Sequence, residues 1–319
     1  MLGANEKITV PFWMLACVYA ILPLLLILAL VDALFLHSAL RETLPQTPET
    51  FVLYALLFGT PHILASFFSL ADKDYLAAYG TKLTVKLPLL LISIGLTTYF
   101  FMPVGILIFV AYTMYHVVFQ QAGLSLVFGA KFSKAFEAWR ALPVLFITMG
   151  HMAVYYPDLI AFMDGWSGPL LTVLVSSFVL LSFYLYGRIP SARGKLYFAA
   201  TSATFVGSYL LYLWGYPLFS ILLVRFVHDM TAFIIYAAHD HNRAVAGETN
   251  LIYRFFPKRV LPVFLATPVL AILLGYVITH PPFSNTGFML ILLLGSAHYC
   301  LESFVWKRDT IHRSHVSFA

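Results

Sequence analysis

The stretch PLFSILLVRFVHDMTAFIIYAAHDHN, residues 217–242, decides the fold. Its length, at about 1.5 Å per residue, makes a helical rod of roughly 39 Å, more than the roughly 30 Å hydrocarbon core of a bilayer. Arg225, His228 and Asp229 sit near its middle. Ionisable groups at that depth are costly unless they find partners, so they mark a place where the chain does something other than face lipid.

Working outward, nine more apolar runs approach membrane length, giving ten in all: 10–37, 51–71, 84–101, 103–129, 141–156, 167–187, 195–213, 217–242, 260–279 and 285–306. Prolines punctuate most of the gaps, while Pro61 lies inside a run, where neighbouring helices can satisfy the freed carbonyl. Hydrophobic residues form 61% of the 319 positions and charged residues 10%, too little charge to cover a water-soluble globule of this size. The net charge of +5 does not indicate a nucleic-acid partner, because the basic residues lie in short segments between apolar runs. With the N-terminus inside, 17 of the 19 Lys and Arg residues fall on the cytoplasmic side, only Arg41 falls outside, and Arg225 lies within a span. The expected fold is therefore all-α: a polytopic membrane helix bundle of about ten transmembrane helices, a single integral membrane domain over 1–319, with the N and C termini cytoplasmic. Cys17 and Cys300 lie in apolar runs and imply no disulfide framework.

Eleven histidines in so apolar a chain need an explanation. His62, His116, His228 and His298 each fall about 11 to 13 residues past the outer end of a span running in the same direction, roughly 16–20 Å deep. Imidazole is a common ligand of iron, zinc and copper, and a shared ion explains four histidines at one level. The plainer reading of any one of them is a core histidine satisfied by a carbonyl or hydroxyl. Asp229, next to His228, Gln120, one turn below His116, and Glu302, one turn below His298, are candidates to orient an imidazole through its second nitrogen. Glu302 shares the face of His298 and is also a candidate ligand. Arg225 reads equally as a structural counter-charge to Asp229 or Glu302. His239 and His241, flanking Asp240, are a possible second metal site at the cytoplasmic end of the 217–242 run. His151 lies away from the shared plane, and His37, His280, His312 and His315 are expected to be solvated. Tyr112, Tyr115 and Phe119 near His116, and Phe226 and Phe233 near His228, suit either packing or the lining of an apolar tunnel.

Several of these elements resemble the Brp/Blh family of bacterial membrane β-carotene dioxygenases. Gly59-Thr60-Pro61-His62 resembles that family's Gly-x-Pro-His element, and Tyr115-His116-Val117 and Phe226-Val227-His228 resemble two further histidine helices. Ala297-His298-Tyr299, followed by Glu302, resembles its late helix. The sequence departs from the family at Ala232, where a further ligand histidine is expected, and at Ile63 and Ser66, where a glycine and an aspartate are expected. His298, Asp229 or Glu302 would then complete a four-ligand set. The resemblance implies a bacterial inner (cytoplasmic) membrane protein. It also implies Fe(II) held by His62, His116, His228 and His298, with Tyr115 among the surrounding groups, and cleavage of a carotenoid by dioxygen to an apocarotenal such as retinal. Membrane lipids, a lipophilic small molecule and dioxygen are the implied partners.

Two other classes remain open on the sequence. One is a proton- or metal-coupled transporter using the buried His, Asp and Glu, and the other a haem-binding electron carrier with histidine axial ligands on facing helices; another transition metal is a further alternative to iron as the bound ion.

Overall fold

The computed structural model describes residues 6–46, 54–157, 166–247, 250–253, 263–279, 284–307 and 309–319. A short strand β1 (Thr9–Val10) leads into helices α1 (Phe12–Val18), α2 (Ile21–Phe35) and α3 (Ala39–Thr43). A π-turn (Ala55–Gly59) opens α4 (Thr60–Leu70), and α5 (Lys73–Thr81) joins α6 (Leu87–Phe100) through a second π-turn (Lys82–Lys86). Then follow α7 (Met102–Val127), α8 (Lys134–Tyr155), α9 (Ser167–Tyr186), α10 (Ala192–Leu213), α11 (Pro217–Val245), α12 (Val263–Thr279) and α13 (Ser284–Val305). A single turn α14 (Ile311–Ser314) and strand β2 (Ser317–Phe318) close the order.

The fold is all-α among the described residues, apart from β1, β2 and an isolated bridge between Asp72 and Asn250. Among the described residues, six helical stretches are long and apolar enough to cross a membrane: Phe12–Phe35, Lys73–Phe100, Met102–Val127, Ser167–Tyr186, Ala192–Leu213 and Pro217–Val245. These are compatible with a membrane protein. Leu57–Leu70, Val263–Ile278 and Met289–Val305 are apolar but shorter.

Two boundaries differ from the sequence reading. The third helical stretch begins at Lys73, not near residue 84, because Asp72 caps it by accepting from the Asp74 amide and because Tyr75 and Tyr79, one turn apart, are both buried. The 141–156 run is the end of a helix that begins at Lys134, where the Ser133 hydroxyl accepts from the Phe136 amide at 3.1 Å. Lys134, Glu137 and Arg140 broke the apolar count, yet Phe136, Trp139, Pro143 and Phe146 form one buried face at helical spacing.

By contact density the chain divides into two compact units: Met1–Leu15, Val52–Gly105 and Asp229–Ala319 in the first, Ala16–Phe51 and Ile106–His228 in the second. The second unit packs around aromatic rings, with Trp139 stacked on Phe198 at 4.6 Å and on Phe178 at 5.7 Å between ring centroids. Gly194, at the start of α10, is required there, because a Cβ would collide with the Phe128 carbonyl. Asp32, fully buried, accepts from the Leu40 and Arg41 amides and the Tyr216 hydroxyl, tying α2, α3 and the start of α11 together.

In the first unit α4 packs closely on α12: a Cβ on Gly275 would come to 3.2 Å from the Pro61 ring. Tyr79 packs on Phe304 of α13 at 5.0 Å. The two strands pair in parallel, Thr9 with Ser317 and Val10 with Phe318. The Phe12 amide donates to the Ala319 carbonyl at 2.8 Å, so the first and last described segments lie side by side.

Candidate metal centre

His62 stands one residue after Pro61, just beyond the π-turn. Proline has no N–H to return to the preceding turn, and the His62 imidazole reaches back over that turn. Its Nδ1 lies 2.8 Å from the Gly59 carbonyl, 3.3 Å from the Phe58 carbonyl and 3.1 Å from Asp229 Oδ1. All three are acceptors only, so Nδ1 carries the proton and Nε2 carries the lone pair. Asp229 is itself held by the Tyr54 hydroxyl, which donates to Oδ2.

His298 is fixed in the same tautomer by a different route. The Ser66 hydroxyl donates to the Ile63 carbonyl at 2.7 Å, which uses its one proton. Its oxygen, 2.8 Å from His298 Nδ1, therefore accepts, and Nε2 of His298 is again the lone-pair atom. The two rings meet edge to face, centroids 4.9 Å apart and planes at 87°. Their ligand atoms lie within 4.8 Å of each other, as do those of His298 and Glu302. Both histidines are buried, at 3% and 0% exposure. The donor set fits a transition metal: imidazole nitrogens with tautomers fixed from outside, beside a buried carboxylate. These buried histidine groups can hold a metal ion.

The second unit carries its own pair. His116 and His228 are buried, and their rings also meet edge to face, at 4.8 Å and 82°. Residue by residue along α11, His228 closes one unit and Asp229 opens the other.

The remaining expected residues are placed as follows. Gln120 is half-buried on α7. Tyr115 lies on the exposed side of α7, 43% exposed, with Phe119 tilted against it at 4.0 Å and Tyr112 stacked at 6.5 Å, so it is part of an outward aromatic ladder and not of the buried pair. His239 and His241 do not converge. His239 donates from Nδ1 to Asp240 and accepts at Nε2 from the Tyr75 hydroxyl at 2.7 Å, whereas His241 donates from Nε2 to the Glu6 carbonyl at 2.9 Å. Two residues apart on a helix, their side chains diverge by about 200°.

The solvated tail histidines are a correction. His312 is fully buried and His315 partly so, because the tail folds back onto α11 and β1 instead of trailing into water. His37 is exposed, and His280 lies outside the described residues.

No protein-family model, curated protein or solved structure matches the chain. The reading of the site therefore rests on its own chemistry.

Sequence reasoning missed Tyr54 and the part played by Ser66. A usable signal existed: Ser66 is one helical turn after His62, a small polar residue on an otherwise apolar face. It also missed Arg243 and Asp72, which form a buried ion pair at 2.7 Å.

Proposed function

We propose that the chain crosses a membrane ten times with both ends on the cytoplasmic side. In this reading its buried histidines hold Fe(II), and the protein is an oxygenase acting on a lipophilic polyene, cleaving a carotenoid to an apocarotenal such as retinal. The observation that carries it is the fixed tautomer of His62 and His298, each holding its Nδ1 proton on a protein acceptor and offering Nε2 as a ligand. Helices lie over all ten of the apolar runs, and the pairing of Thr9–Val10 with Ser317–Phe318 supports an even number of crossings, because it brings both segments to one side.

His62 and His298 in one unit, and His116 and His228 in the other, are the ligands in this reading, with Glu302 as a further candidate. Bound iron supplies the dioxygen chemistry. The chain's own residues do the rest. Asp229 and Ser66 hold the imidazole protons away from the ligand face, and burial keeps water from the ligand atoms. The rings of Tyr112, Tyr115 and Phe119 offer a lipid-facing apolar strip beside His116. Cleavage of one carbon–carbon double bond consumes one dioxygen and leaves two aldehydes with one oxygen atom in each.

The test begins with metal analysis of protein purified in detergent, where one or two transition-metal ions per chain are expected. The iron-loaded protein is then given β-carotene under labelled dioxygen, and labelled retinal is the expected product. Absence of bound metal would overturn the whole reading. Metal without product from any polyene would overturn the substrate class.

A further inference from the structure

The cytoplasmic end of the first unit holds a second buried polar cluster that the proposed chemistry does not use. Asp240 is its hub. It accepts from His239 Nδ1 and Ser69 on one oxygen, and from Tyr253 at 2.6 Å and Thr267 at 2.7 Å on the other. Arg243 pairs with Asp72 at 2.7 Å and Asp74 at 3.4 Å, and donates to His315 Nε2 at 3.2 Å. Asn242 donates to the His315 carbonyl at 2.8 Å, holding the tail by its backbone.

The tail inserts His312 into this cluster. The ring stacks on His239 at 3.9 Å, and Trp306 meets it edge-on at 4.2 Å. Tyr75 and Tyr236 stand at 5.7 Å and 6.3 Å. It is 0% exposed, and neither of its nitrogens has a hydrogen-bond partner among the described residues. An imidazole in such a box is seated as an apolar ring, and only its neutral form fits.

We infer that residues 311–318 form an acid-released latch: neutral His312 docks the tail against α5 and α11, and protonation of His312 expels it.

The groups facing His312 favour that outcome. From α11 come His239, Asp240 and Arg243, from α5 Tyr75, from the end of α13 Trp306, and from the tail itself His315. Burial is the largest influence holding the His312 pKa well below the usual histidine value, followed by repulsion from His239; Asp240 alone pulls the other way, and His315 and Arg243 add to the depression. His315 is also lowered, first by burial, then by Arg243 and Lys7, against Asp72. A depressed docked value means that docking is fully present above the free histidine pKa of about 6.5 and is lost as pH falls below it. Each histidine weakens docking by up to tenfold per pH unit, or roughly thirtyfold between pH 7.5 and 5.0.

Hydrogen exchange of the full chain in nanodiscs, corrected for the intrinsic pH dependence of exchange, reads this directly. Protection of the 311–318 amides should fall at least thirtyfold from pH 7.5 to 5.0, with α10 unchanged as an internal reference. His312→Phe keeps a ring in the box and should remove about thirtyfold of that fall. His312→Gln, neutral and smaller, serves if the phenylalanine does not dock, and should do the same. An unchanged tail at pH 5.0 in the parent would overturn the latch, as would a full acid response in both variants.

Discussion

Two pairs of buried histidines lie in the same unit and are built for different ends. His62 and His298 stand edge to face at 87°, whereas His239 and His312 lie stacked at 27°. The lone pair of an imidazole lies in the plane of its ring. Crossed rings can aim two lone pairs at one point, while rings lying face to face at 27° send theirs side by side in nearly the same plane direction. Their surroundings differ in the same sense. The crossed pair has its Nδ1 protons held by Gly59, Asp229 and Ser66, so each Nε2 carries the lone pair. In the stacked pair, His239 spends both nitrogens on Asp240 and Tyr75, and His312 spends neither. Burial and residue type are common to both pairs; the tautomer and the ring angle are what separate them.

This contrast can be broken most forcefully by removing a ligand. His62→Ala or His298→Ala should abolish most of the bound metal, as read by elemental analysis against the parent. Next in size, Arg243→Ala leaves Asp72 buried without its cation and should cost about 3–5 kcal/mol in thermal or denaturant unfolding, with metal content per folded chain unchanged. Ser66→Ala removes the acceptor that fixes the His298 tautomer. It should weaken metal binding by about 10–100-fold in a chelator competition, and Ser66→Thr should restore it. The smallest effect is expected on the other pair: His239→Phe should leave the metal-to-protein ratio of the parent intact. A loss there comparable to that of His298→Ala would erase the distinction between the two pairs.

The helical content was legible because apolar length is a property of composition, and every one of the ten expected runs contains a helix. Boundaries were legible where a proline or a charge coincides with a helix end, as at Pro217. Lys134 is an exception: the helix starts among charged residues, and its buried face shows only when Phe136, Trp139 and Phe146 are read at helical spacing. The four mid-run histidines were found by counting depth, since a helix converts residue number to distance almost linearly. Counting could not say which nitrogen each presents. That depends on Ser66, whose partner is 232 residues away, and on Asp229, whose partners come from α4 and the segment before it. The burial of His312 was hidden for a related reason. A basic, polar tail reads as solvated, and nothing local announces that Asn242 and β1 will hold it down.

The parallel pairing of β1 with β2 sets a schedule for assembly. Thr9 and Ser317 are 308 residues apart in the chain, and at about 5–20 residues per second a ribosome takes roughly 15–60 s to travel between them. Throughout that interval the leading strand has been made and its mate has not, while the intervening rods are delivered one after another. Closure of this seam thus waits until residues 317 and 318 have been made. A nascent chain stalled before residue 317 would carry His62, His116, His228 and His298 yet lack this seam.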